Sequence, residues 1–315
     1  MFKEAKEIID KSNNIYISAH VNPDGDAIGS TIAICFALKK LGKNAKVVMP
    51  SYSTVFEFLP GVSSCVKSID DSEFDLLIAL DSSDNTRLAI TQDEYNRAKK
   101  VIMLDHHQIS SPYGDFRFID DKKSSASEIA YLFIKSLDVE IDKDMATLLY
   151  TGIMTDTGSF NYSNANSDTF RVVAELLDYG AEAVKVCKKL NDTMKESKLK
   201  LIAKTIDNME VFYNGKMRYS FVPYDEIRSL GIDDEDAEGM TNYLRAVEGT
   251  EVAVYVRGKS DGTNKVSMRS GGNVDISKIA IEFGGGGHPR AAGYNMREDE
   301  ETEKQKLIKV VGEML

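Results

Sequence analysis

Thiols, positive charge and long apolar runs are all in short supply in this chain, and each shortage excludes something. The three cysteines in 315 residues, Cys35, Cys65 and Cys187, lie far apart and form no C-x-x-C pair. Neither a disulfide framework nor a thiolate zinc site is expected, and the plain reading is a reducing, cytoplasmic compartment. No apolar run reaches the roughly 18 residues that span a bilayer, so no membrane partner is expected. The opening "MFKEAKEIIDKSNN" has no apolar centre of the signal-peptide kind and reads as an amphipathic helix. Lysine and arginine number 39 against 50 aspartates and glutamates, a net charge of −11. This argues against binding nucleic acid through a diffuse basic surface, because phosphate neutralisation drives such binding. A small anionic ligand gripped by a few local cations stays compatible with it.

What the chain does contain is ordinary globular material, 42% hydrophobic and 28% charged, and its length suggests two domains. In the first half, short apolar runs alternate with helical periodicity. "NIYISAH", "NAKVVMP", "FDLLIALDSSD" and "KKVIMLDHHQ" read as strands that are apolar on both faces, as in a covered parallel sheet. "DAIGSTIAICFALKKLG" reads as a helix closed by Gly42. "KDMATLLYTGIMTDTGSF" reads as a helix entering a loop, and "SDTFRVVAELLDYGA" as another, with Ser167 and Asp168 as cap candidates. The expected class is α/β, a parallel sheet with helices on both faces, over residues 1–185. Residues 186–215 read as a polar connector helix. Residues 216–315 read as a smaller mixed α/β domain, in which "KMRYSFVPYDEI" and "TEVAVYVRGKSDGTNKVSMRS" alternate like antiparallel strands and "DISKIAIEF" is a short helix. Periodicity does not decide between a monomer and a homodimer built on the connector.

The chemistry-bearing residues fall at the predicted strand ends, where ligands bind in open α/β sheets. His20, with Asp24 and Asp26, follows the first strand. Asp81 follows the third, and Asp105, His106 and His107 follow the fourth. Asp156 comes from a fourth segment, at a helix end. An aspartate after a strand is often only a helix cap, and Asp26 could cap a helix starting at Ala27. Yet three of the four histidines belong to this set. Carboxylate and imidazole without thiolate favour Mn²⁺ or a similar divalent ion. Five aspartates suit two cations better than one, the arrangement that hydrolyses phosphate esters. Gly29 reads as a packing residue of the first helix on the sheet.

"GGGGHPRAAG" is the second informative stretch. One glycine would serve as a helix C-cap. Four suggest a close backbone approach, with the amides of Gly285, Gly286 and Gly287 free to form an anion nest. Arg257 and Arg269 lie on predicted strands, and Arg269 and His288 are candidates for gripping a phosphate or stacking on a base.

"DHH" at Asp105–His107, flanked by "AHVNPDGDAIGS", "ALDSSD" and "TGIMTDTGSF", resembles the DHH phosphoesterase superfamily. "GGGGHPRAAG" is similar to the glycine-rich signature of its DHHA1 companion domain, and the two together cover nearly the whole chain. The two-domain form resembles the NrnA-like group of bacterial nanoRNases and 3′-phosphoadenosine-5′-phosphate (pAp) phosphatases, and also the stand-alone phosphodiesterases of linear or cyclic dinucleotides. The resemblance implies that His20, Asp24 and Asp81 hold one metal and that Asp26, Asp81, His106 and Asp156 hold the other, with Asp81 shared. It implies that Asp105 orients a neighbouring ligand and that His107 faces the scissile phosphate. Arg87 would shape the site, although a surface salt bridge explains it as well. Arg269, Ser270 and the glycine loop would line a substrate pocket. The expected substrates are oligoribonucleotides of about two to five nucleotides, pApA or pAp, entering single-stranded and not as a duplex. A cyclic dinucleotide (c-di-AMP) phosphodiesterase is the alternative. A non-catalytic nucleotide sensor and an inorganic pyrophosphatase are weaker ones, since no ligand aspartate is replaced and no lysine-rich grip is seen.

Overall fold

The computed structural model describes residues 2–107, 112–232 and 237–315. The chain divides into two compact units, Met1–Thr193 and Met194–Leu315, each described by itself below. No helix among the described residues is long and apolar enough to cross a membrane.

The first unit opens with α1 (Lys3–Lys11), β1 (Asn14–Ser18), α2 (Gly25–Lys40), β2 (Asn44–Val47), β3 (Phe74–Leu80), α3 (Gln92–Asn96) and β4 (Ala98–Asp105). It continues with β5 (Phe116–Ile119), α4 (Ala126–Ser136), α5 (Lys143–Asp156), α6 (Ser167–Asp178) and α7 (Ala183–Leu190). Five parallel strands stand in the order β2-β1-β3-β4-β5. Ile17 lies beside Ile78, and Ile78 beside Ile102. This register brings the carboxyl ends of β1, β3 and β4 side by side. On one face Ile17, Ile78, Leu80 and Leu104 pack against α1, α2, α4 and α5. On the other, Tyr16, Leu77, Ala79 and Val101 pack against Val48, Ile69 and Leu88, with the short α3 alongside. Each fully buried Leu or Ile contributes about 1.5–3 kcal/mol, so both faces of β3 anchor the sheet.

β5 and α4 fall where the sequence offered no expectation. β5 is a four-residue edge strand of half-exposed side chains, too short for a period-two signal. α6 is capped by Asn166, not by Ser167 or Asp168: the Asn166 side chain accepts the amides of Asp168 (2.8 Å) and Thr169 (3.2 Å). Gly42 does end α2, with φ of +76°. Gly29 packs on a helix, not on the sheet, because a methyl there would collide with the Leu148 carbonyl oxygen of α5.

The expected single connector helix is broken. α7 stops at Leu190, and the Thr193 hydroxyl bonds the Lys188 carbonyl at 2.8 Å, taking a last-turn acceptor that a continuing helix would need. The second unit then begins with α8 (Glu196–Asp207), β6 (Met209–Phe212), β7 (Met217–Val222), α9 (Tyr224–Ser229) and α10 (Thr241–Arg245). It ends with β8 (Val252–Gly258), β9 (Asn264–Ser270), α11 (Ile276–Glu282), β10 (Gly286–His288), β11 (Ala291–Asn295) and α12 (Glu300–Met314). Six strands run β10-β11-β9-β8-β7-β6. β8 and β9 form the expected antiparallel hairpin. β7 and β8, however, are parallel, since the segment between them is a crossover holding α9 and α10 and no hairpin turn. Val254, Val266 and Met268 face Ile276, Ile279, Leu307 and Val311 on one side; Ala253 and Tyr255 face Leu201, Ile227 and Leu244 on the other.

The α2–α5 contact gives a first test. Gly29→Ala is expected to cost about 1–3 kcal/mol by overpacking, read as a lower urea midpoint with an unchanged m-value. Stability equal to that of the parent would show that the two helices can part freely.

Candidate metal centre

The side chains at the strand ends meet. His20 follows β1 and is held by backbone pairing: Ala89 N–H donates to the Ala19 carbonyl and Val21 N–H to the Arg87 carbonyl, each at 2.8 Å. Its Nδ1 lies 2.7 Å from the Val21 carbonyl, which turns Nε2 toward Asp81 Oδ2 at 3.5 Å and Asp24 Oδ1 at 3.9 Å. Asp24, not Asp26, caps α2: its Oδ1 accepts the amides of Asp26 (2.9 Å) and Ala27 (3.0 Å). Asp26 sits two residues on, in the first turn of α2, 1% exposed. Its two oxygens accept the amides of Ala126 (2.7 Å) and Ser127 (2.8 Å) at the start of α4. α5 passes so close that a methyl on Gly152 would stand 2.7 Å from Asp26 Oδ1.

Asp81 is the centre of the set. It adopts φ of +51°, a left-handed conformation that aspartate tolerates better than most residues and that marks functional sites. Its Oδ1 is 3.5 Å from His106 Nε2, and His106 Nε2 is 3.7 Å from Asp156 Oδ2. Ligand atoms of His20, Asp24 and Asp81 lie within 4.8 Å of one another, as do those of Asp26, His106 and Asp156, and those of Asp81, Asp105, His106 and His107. Asp105 is fully buried, and its Oδ1 takes both the backbone amide (3.0 Å) and Nδ1 (2.7 Å) of His107. The residue it orients is therefore His107.

The donors fit a divalent cation. They are carboxylate and imidazole only, and Asp105 Oδ2 is buried with no hydrogen-bond partner among the described residues. Burial, and then the charges of Asp81 and Asp156, push the Asp26 carboxyl well above its usual range. Burial pushes Asp156 up to about 6. Burial would raise Asp81 too, but the His106 and His20 imidazoles bring it well below the carboxylate range. The Asp81 hydrogen bond carries His20 up to about 9. His106 reaches about 10, burial being overcome by Asp81, Asp26 and Asp156. Protons stand in this cluster for charge that a cation would supply.

Arg87 is exposed, beside the His20 segment, and makes no ion pair among the described residues. In the second unit Arg257 is 5% exposed and faces Glu238 at 3.4 Å, so it is engaged within the fold. Ser270 is buried and accepts the Gly272 amide at 3.0 Å. The expected nest does not form as read. The amides of Gly284 and Gly285 donate to the Ile281 (2.9 Å) and Ala280 (2.7 Å) carbonyls and close α11, while Gly286 and Gly287 pair with β11. Methyls on Gly285 or Gly287 would run into that strand. Two candidates are brought together: His288 opposes Ala291, which opposes Arg269, so both side chains rise from one face of the sheet.

The sequence reading missed the start of α4, which holds Asp26, and Asn164, whose amide reaches the Asp156 carbonyl. "SSASE" carried a signal: a serine cap three residues before a glutamate ahead of an apolar run.

A parallel sheet whose adjacent strand ends share one aspartate–histidine cluster defines an α/β protein built around a divalent-cation site. The chain belongs to the DHH family. The DHH family N-terminal domain matches residues 14–153 and the DHHA1 domain residues 214–315. It is 33% identical over 305 residues to the bifunctional oligoribonuclease and PAP phosphatase NrnA of Thermus thermophilus, covering 96% of this chain and 90% of that one. A probable enzyme of the same name from Streptococcus mutans is 29% identical, covering 98% and 99%. Among solved structures, an exopolyphosphatase-related protein from Bacteroides fragilis superposes with a TM-score of 0.88 at 25% identity, covering 98% of this chain and 95% of that one.

The raised histidines give a pH test. Their protonation stabilises the ion-free fold; that contribution is complete below about pH 6.5 and lost as pH rises through the values of about 9 and 10. A divalent cation has the opposite sign, because it binds deprotonated ligands. The melting temperature of chelator-treated protein should fall between about pH 6.5 and pH 10, whereas the rise caused by excess Mn²⁺ should grow over the same range. An increment independent of pH would remove the imidazoles from the ion site.

Proposed function

We propose that the chain is a metal-dependent phosphoesterase of short nucleotide substrates, acting in the cytoplasm on oligoribonucleotides of a few residues, on pApA, and on pAp. The observation that carries it is the meeting of His20, Asp81, His106 and Asp156 at the ends of three neighbouring strands and one helix. The names of the NrnA relatives support the substrate class.

Two divalent ions, Mn²⁺ by the donor chemistry, would be held by His20, Asp24 and Asp81 and by Asp26, Asp81, His106 and Asp156. When bound, they supply a water-derived nucleophile at neutral pH and neutralise charge growing on the phosphoryl oxygens. The chain's own residues do the rest. Asp105 fixes the His107 ring through Nδ1 and favours its protonated form, so the other ring nitrogen carries a proton to donate to a phosphate oxygen or to the departing alkoxide. Asp81 sits with its two oxygens toward different imidazoles, so it can serve both ions. Arg87, beside the His20 segment, shapes the entrance. Arg269 and His288, on one face of the second sheet, grip the terminal phosphate or stack on the base, with the backbone of Gly285, Gly286 and Gly287 alongside. Arg257 shares that face, and Ser270, on the opposite face, braces the turn beyond β9 by accepting the Gly272 amide.

Asp81→Asn tests the ion assignment with a residue that also tolerates positive φ; turnover should drop roughly a thousandfold or more with the fold retained by circular dichroism. Near-normal turnover would defeat the two-ion reading. Arg269→Ala should raise KM for pApA about tenfold with a smaller change in kcat, and an unchanged KM would take Arg269 out of the pocket. Competition among pAp, pApA, c-di-AMP and a five-nucleotide RNA separates this reading from the cyclic-dinucleotide phosphodiesterase, which requires c-di-AMP to be the preferred substrate.

A further inference from the structure

Asp156 ends α5, and the chain leaves it through three successive residues at positive φ: Gly158 (+55°), Ser159 (+57°) and Phe160 (+65°). Two of these are not glycine, so the turn is held against its own preference. It returns at Asn164. The Asn164 side-chain amide donates to the Ser124 carbonyl at 2.9 Å and the Asp156 carbonyl at 3.2 Å, and lies 3.5 Å from Asp156 Oδ2. The loop 157–163 therefore begins and closes at one candidate ligand.

Ser124 is itself braced. Glu128 is fully buried, and its Oε2 accepts from Ser124 N–H (3.1 Å), Ser124 Oγ (2.7 Å) and Thr169 Oγ1 (3.1 Å). Its Oε1 pairs with Lys123 at 3.0 Å. Two residues further, the amides of Ala126 and Ser127 hold Asp26. One rigid turn, 124–127, thus connects to two carboxylates from different helices: Asp26 directly and Asp156 through Asn164.

We propose that Asn164 is a positioning residue for the ion site, with the Glu128-braced turn as its anchor: it sets the aim of Asp156 against Asp26 and His106. The inference rests on the ion-site reading above, but it assigns a role to groups outside the ligand set. Removing the side chain frees Asp156 to swing away from its neighbours, as like charge urges it to do. Partners that orient metal ligands typically change metal affinity about 10–100-fold when mutated.

The test is calorimetric titration of chelator-treated protein with Mn²⁺, beside its melting temperature without ions. Asn164→Ala should weaken the Mn²⁺ Kd about 10–100-fold with little loss of ion-free stability. Asn164→Ser, too short to reach both acceptors, should do the same and serves if the alanine variant fails to fold. Asn161 lies in the same loop and donates to the Gly158 carbonyl at 2.9 Å; Asn161→Ala should leave Kd unchanged. A Kd within about twofold of the parent in the Asn164 variants, or an equal loss in Asn161→Ala, overturns the proposal by assigning Asn164 to loop structure alone. A parent protein that binds no Mn²⁺ would instead refute the ion-site reading itself.

Discussion

Mutual repulsion among buried carboxylates is the constraint from which the first unit takes its form. Asp26, Asp81 and Asp156 are drawn together with His20 and His106 among them, in surroundings where burial alone pushes each acid toward its neutral form. Such a cluster persists only if the scaffold over-determines it or if positive charge enters it. This structure does both. Raised histidines provide partial compensation, and the donor set is shaped for a cation.

The scaffold's part is carried mostly by backbone. Amides at the start of α4 fasten Asp26, amides of α2 fasten Asp24, and a left-handed residue at the end of β3 aims Asp81. The α2–α5 contact through Gly29 and Gly152 lets these elements approach until side chains on three of them share a few ångströms. Packing and chemistry are therefore not separable here: the glycines that permit the helix contact also set the distance between ligands.

Much of this could be read from the residues. The strand ends carrying His20, Asp81 and Asp105 were visible because hydrophobic runs stopping at acidic residues have few structural explanations when they recur three times. The parallel pairing of β7 and β8 was not, since alternation looks the same in either orientation and only the connection decides. Asp26 could equally have capped a helix starting at Ala27; the cap is Asp24, two residues earlier, a shift of the usual size at helix ends. Nor could the glycine run be resolved. Helix closure, close strand approach and anion binding all favour glycine, and the structure assigns Gly284 and Gly285 to the first and Gly285 and Gly287 to the second. Asn164 was invisible for another reason: its significance is a return contact across an irregular loop, which no periodicity records.

The grip of the α4 amides on Asp26 reaches beyond geometry. A carboxylate already clasped on both oxygens waits in place, so loading does not have to be coupled to refolding. Molecules stripped of their ions would keep their shape and form a dormant stock. Return of a divalent ion would then find that carboxylate already in place.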